Sequence, residues 1–98
     1  MNLRIRVRYY LWLANKTKIK EEDVELPDDS TLDVLLKKIS ENKPEDARRI
    51  IQEIADGKSE FIILLNSKTP TNGLKTQLKD GDEVSLMPPV SGGSSALM

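Results

Sequence analysis

The stretch "KDGDEVSLMPPVSGG", residues 79–93, decides the fold. Asp80-Gly81 is a tight-turn pair, and the residues behind it alternate. Val84 and Leu86 point to one face of a strand running from Glu83 to Met87, and Ser85 and Met87 point to the other. Pro88 and Pro89 have no N–H to give to a ladder, so the strand stops there and the chain leaves extended. Ser91, Gly92 and Gly93 add little bulk, and residues 87–98 carry no formal side-chain charge. A closing strand that runs out into a thin arm is the picture, although "SGGSS" taken alone also reads as a generic linker.

Upstream, Leu3, Ile5, Val7 and Tyr9 alternate with Arg4, Arg6 and Arg8, which is the period of a strand with one buried face. The three arginines form either an anion-binding row or the solvated face of that strand. Leu11, Trp12 and Leu13 cap one end of the core, with Trp12 read as packing, and Asn15 to Lys18 reads as a turn. A second strand follows in "IKEEDVELP", with Val24 and Leu26 inward and Pro27 ending it, so the two strands form a hairpin.

"DDSTLDVLLKKISEN" begins a helix: Ser30 or Thr31 can cap it, and Asp28, Asp29 and Asp33 suit its positive end. Leu32, Leu35, Leu36 and Ile39 fall at helical spacing, each worth about 1.5–3 kcal/mol if buried. Pro44 opens a second helical stretch with Ala47, Ile50, Ile51 and Ile54 on its apolar face, and Asp56-Gly57 ends it. "EFIILLN" is a continuous apolar run between turn signals and predicts a central strand buried on both faces. A helix crossing between the second strand and this one makes those two parallel. The fold class is α+β: a mixed sheet of four to five strands with a helix across one face and a second helical stretch. The sheet face away from the helix then needs cover from loops or a partner.

The chain has 98 residues, enough for one domain, with Lys plus Arg 15 against Asp plus Glu 16. That balance gives no support for nucleic-acid binding. There is no cysteine and no histidine, which rules out disulfides, thiolate nucleophiles, imidazole bases and Cys/His zinc sites. No apolar run approaches the roughly 20 residues of a membrane span, and "MNLRIRVRYY" lacks the apolar core of a signal peptide. A cytoplasmic protein without membrane or metal is the expectation.

The combination "LKDGDEV…PPVSGG" resembles the C-terminal signature of the small, sulfur-carrying subunit of molybdopterin synthase, a ubiquitin-like β-grasp family. "LRIRVRYYLWLA", "VELPDDSTLDVLLKKI" and "FIILLN" are similar to that family's first strand and turn, second strand and helix, and penultimate strand. The sulfur carrier of thiamine synthesis shares the fold and the terminal glycines. The Pro44 to Asp56 segment and "PPVSGG" favour the molybdopterin relative.

The resemblance implies a β-grasp domain over residues 1–88 and a flexible tail over 89–98. It implies a non-catalytic carrier whose Gly93 carboxylate is adenylated by an activating, ubiquitin-activating-like enzyme and then becomes a thiocarboxylate. The sulfur passes to a pterin precursor on the synthase's large subunit. ATP with magnesium belongs to the activating enzyme, and the carrier itself binds no cofactor stably. Gly92, Ser91, Val90, Pro89 and Pro88 become the arm that threads the partner's channel, where a β-carbon at Gly92 risks a clash. Met87 stands where the family more often has an aromatic contact to the large subunit, and Phe61 and Ile63 either extend that patch or belong to the core. Related members are joined to lysines as protein modifiers.

One departure matters. Gly93 is followed by Ser94, Ser95, Ala96, Leu97 and Met98, and an internal glycine has a peptide carbonyl that cannot be adenylated. The chain is a precursor for a trimming protease, a member without the activity, or a native protein with added residues. The precursor reading is adopted here. A β-grasp interaction module with a linker for a tail is the non-reactive alternative.

Overall fold

The structure, a computed structural model, describes residues 2–89. Four strands form a mixed sheet in the order β2-β1-β4-β3, with β1 Asn2–Tyr9, β2 Glu21–Pro27, β3 Ile62–Leu65 and β4 Glu83–Met87. Three helices join them: α1 Trp12–Thr17, α2 Leu32–Ser40 and α3 Glu45–Ala55, with a 3-10 turn at Gly73–Lys75. The α+β expectation and the four-strand count hold among the described residues.

The alternation in β1 does what its period predicts. Leu3, Ile5, Val7 and Tyr9 are buried and face Val24 and Leu26 of β2, Val84 and Leu86 of β4, and Leu32, Leu35, Leu36 and Ile39 of α2. Ile51 and Ile54 of α3 join the same core, while Ile50 packs at its margin. α2 starts at Thr31 without a side-chain cap bond to a helix N–H. Instead the Thr31 hydroxyl donates to Asp33, and Asp33 Oδ1 accepts the Val34 N–H at 2.9 Å. Ser30 Oγ donates to the Pro27 carbonyl at 2.7 Å. Pro44 caps α3, whose end at Asp56-Gly57 uses the positive φ of Gly57, 76°.

Three expectations are corrected. Residues 12–17 are the helix α1 where a core cap and a turn were expected, and Lys18 closes it in the left-handed region. Six residues are too few to show a 3.6-residue period, and its N-cap is Leu11, which carries no capping side chain. "EFIILLN" is the edge strand β3, paired only with β4 in the sheet order. Apolar residues on both parities suggested burial on both faces, but Ile62 is 43% exposed. Finally, β2 and β3 run in the same direction, as the helical crossing demands, but they sit at opposite edges. The parallel pair is β1 with β4.

The turn ahead of β4 is clipped to β1. Arg4 N–H donates to Asp80 Oδ1 at 2.8 Å, and Gly81 N–H donates to the Arg4 carbonyl at 2.9 Å. Gly81 has φ 89°, a conformation that glycine alone adopts without strain. β3 is held to β4 by Asn66, whose Oδ1 accepts the Glu83 N–H at 2.9 Å while its own N–H donates to the Glu83 carbonyl at 2.7 Å. These contacts fix β4, and with it the point where the chain leaves the sheet.

Candidate functional site

Strand register sorts the outer face of the sheet into two halves. Directly opposed residues share a face, so Arg4, Arg6 and Arg8 stand against Glu25, Asp23 and Glu21 of β2. Arg6 Nε lies 3.0 Å from Asp23 Oδ1, and Arg8 Nε lies 3.4 Å from Glu21 and 3.0 Å from Glu83. The arginine row is therefore matched by carboxylates on both flanks, and the solvated-face reading is the one the structure supports. The bond and charge of Asp23 hold the Arg6 guanidinium firmly protonated.

The other half is apolar. Met87 pairs with Ile62 and Ser85 with Leu64, so these four share the outer face. Ile62 is exposed, Leu64 and Met87 are half-buried, and Ser85 is buried between them. Ile63 pairs with Leu86, and Leu65 with Val84, on the helix side. Phe61, Ile63 and Leu65 pack against the core there, and Phe61 meets Trp12 edge-on with ring centroids 5.5 Å apart. The register thus separates Phe61 and Ile63 from Met87, and Ile62 and Leu64 take their place beside it. Sequence reasoning missed these two because it treated the strand as central. Apolar residues at both parities of this run, Ile62 and Leu64 as well as Ile63 and Leu65, were the available signal.

The chain leaves the sheet at this apolar end. Pro88 is fully buried and Pro89 half-buried, so the base of the arm is packed onto the domain. Val90, Ser91, Gly92 and Gly93, the remaining arm and reactive positions, lie outside the described residues, as do residues 94–98.

Among the described residues no group of His, Cys, Asp or Glu is arranged to hold a metal, and no helix is long and apolar enough to cross a membrane. A half-buried polar cluster lies on the helix side. Glu22 Oε2 accepts the Tyr9 hydroxyl at 2.5 Å and sits 2.7 Å from Lys43 Nζ. Burial first, and then the Glu22 carboxylate, raise the Tyr9 phenol far above its ordinary value. This cluster ties the α2–α3 connection to the hairpin.

Comparison with known proteins agrees with this geometry. A family model described as the ThiS family matches residues 7–93. Similar solved structures include the HVO 2177 protein of Haloferax volcanii, 28% identical, TM-score 0.74, covering 94% of this chain and 88% of that one. Small archaeal modifier protein 1 of Methanosarcina acetivorans is 27% identical with TM-score 0.66, over 95% of this chain and 99% of that one. A candidate molybdopterin converting factor, subunit 1, from Pyrococcus furiosus is 24% identical with TM-score 0.68, over 90% and 99%, and shares the fold. Among curated proteins none matches closely enough to count as a relative.

Proposed function

The chain belongs to the ThiS family, and from that premise we propose that it is a sulfur carrier for molybdopterin biosynthesis, with Gly93 as its reactive terminus. The Pro44 to Asp56 segment and "PPVSGG" favour molybdopterin, and the observation that supports Gly93 as the terminus is where the match ends. It runs through the described domain and the "PPVSGG" arm and stops at Gly93, leaving residues 94–98 outside. Removal of those five residues by a protease frees the Gly93 carboxylate.

One carboxylate oxygen then attacks the α-phosphorus of ATP on the activating enzyme, and pyrophosphate leaves. The resulting acyl-adenylate is a good acylating group, and a sulfide-level nucleophile displaces AMP to give the thiocarboxylate. ATP, magnesium and the stabilising charges belong to the activating enzyme. The carrier contributes a rigid scaffold and an arm narrow enough for another protein's channel, which needs neither cysteine nor histidine. The large subunit of the synthase receives the arm, and the apolar row of Met87, Ile62 and Leu64 supplies the docking area beside it.

A second reading, a modifier joined to lysines through Gly93, is favoured by the similarity to the archaeal modifier of Methanosarcina acetivorans. One experiment separates the readings. The chain ending at Gly93 is incubated with ATP and its activating enzyme, and ATP–pyrophosphate exchange is followed. A mass change of oxygen to sulfur at the terminus without lysine adducts marks the carrier. Adducts that vanish in Gly93→Ala mark the modifier. Absence of exchange overturns both and leaves an interaction module.

A further inference from the structure

β1 and β4 are parallel and finish side by side. Tyr9 is in register with Leu86, and the Tyr10 N–H donates to the Leu86 carbonyl at 3.1 Å. From this shared end one chain turns through Leu11 into α1, and the other continues through Pro88 and Pro89 toward Gly93.

Leu11 is anomalous twice over. Its backbone has φ 55° and ψ −137°, a region that glycine enters freely and a leucine enters only with strain. Burial does not compensate, because Leu11 is 64% exposed, the highest value among the described large apolar residues. Its side chain makes no cap bond to α1 either. Backbone conformation alone favours glycine at this position. Beside it lies an open hollow of about 480 Å³ lined in part by Arg8, Tyr10, Leu11, Ala14, Lys20 and Glu21, with Glu21 taken up by Arg8 at 3.4 Å. Trp12, next in the chain, is 44% exposed.

We propose that Leu11 and its hollow are a docking contact for the enzyme that activates Gly93, a surface offering an apolar side chain with carboxylates beside it. The inference rests on the function proposed above. Its occupant follows from chain reach. Residues 90–93 span at most about 14 Å when fully extended. A protein that holds the Gly93 carboxylate therefore sits over the corner where Pro89 and Leu11 emerge together. Lys16 already lies 3.9 Å from Asp46, but Lys18 and Lys20 follow within the same short segment, and a carboxylate rim complements them.

The test is pyrophosphate exchange with the chain ending at Gly93 and the activating enzyme from the same genome. Leu11→Gly is expected to raise the urea midpoint of the isolated protein, because it relieves the backbone. The same change should raise KM for the carrier about tenfold with kcat nearly unchanged. Leu11→Met should keep the wild-type KM, and Lys20→Glu should raise it. A residue with a purely structural role would not strengthen the fold and weaken recognition in one substitution. Unchanged KM in both Leu11→Gly and Lys20→Glu, with wild-type exchange intact, overturns this docking site and leaves the carrier reading standing. No exchange by the wild-type chain overturns the carrier reading and this inference with it.

Discussion

Lys43 places its ammonium 2.7 Å from Glu22 Oε2 with its side chain only 4% exposed, which joins the α2–α3 connection to the hairpin. The ammonium also lies 5.8 Å from the Tyr9 ring centroid, so its stem and charge both have partners. Lys43→Met leaves a half-buried carboxylate without its cation. The expected loss is about 1–3 kcal/mol, between the values for exposed and fully buried pairs. Urea melts at pH 7 measure it. A change below the error of the melts would mean that water replaces the ammonium.

The Tyr9 phenol gives a signature at alkaline pH. Its folded-state ionisation is raised, chiefly by burial and then by Glu22, so the stability it contributes is full below the unfolded value and lost as pH rises. Above pH about 10 the unfolded chain releases this proton and the folded chain keeps it. Tyr9→Phe is expected to be about 1 kcal/mol less stable at neutral pH, having lost its bond to Glu22. The gap should then narrow by up to about 1.4 kcal/mol per pH unit above 10. Parallel stability curves for the two proteins from pH 9 to 11.5 would contradict the assignment.

Asp33 acts at the acid end. The Thr31 hydroxyl, first, and then the Lys75 ammonium at 2.9 Å hold its carboxyl below the usual carboxylate range. Its contribution is therefore present above the unfolded value of about 3.9 and is lost as pH falls through the lower folded value. Its place in the first turn of α2 adds a favourable interaction with the helix end. Asp33→Asn should cost about 0.3–1 kcal/mol at pH 7, and the difference should shrink as pH falls below about 3.9. Chemical denaturation across this pH range measures it.

The parts of this fold legible in the sequence were those with enough residues to show a period. β1 alternates over eight residues, and α2 repeats its leucines over nine, so both were readable with their buried faces. α1 has six residues and an atypical cap, and its helicity is set by what Leu13 packs against. β3 misled for another reason. Ile63 and Leu65 face the core and Ile62 and Leu64 the outer side of the sheet, and composition cannot separate the two faces. The proposed reactive arm rests on a motif, "PPVSGG", most of which lies outside the described residues. The patch beside it depended on register, which only strand pairing supplies.

That register makes the sharpest prediction, because it gives adjacent residues opposite roles. Ile62 faces outward opposite Met87, and Ile63 faces the helices opposite Leu86. Ile62→Asp should change stability by no more than about 0.5 kcal/mol, as an exposed position does. Ile63→Asp places a carboxylate against the core and should cost about 3 kcal/mol or more. For recognition the order reverses. Ile62→Asp and Met87→Asp should each weaken binding to the large subunit by about 30-fold, the scale of a buried interface anchor. Calorimetric titration with thermal melts of the same proteins reads both quantities. A folded Ile62→Asp that binds as tightly as wild type would remove the apolar row from the docking surface. A stable Ile63→Asp would show that β3 is registered one residue out.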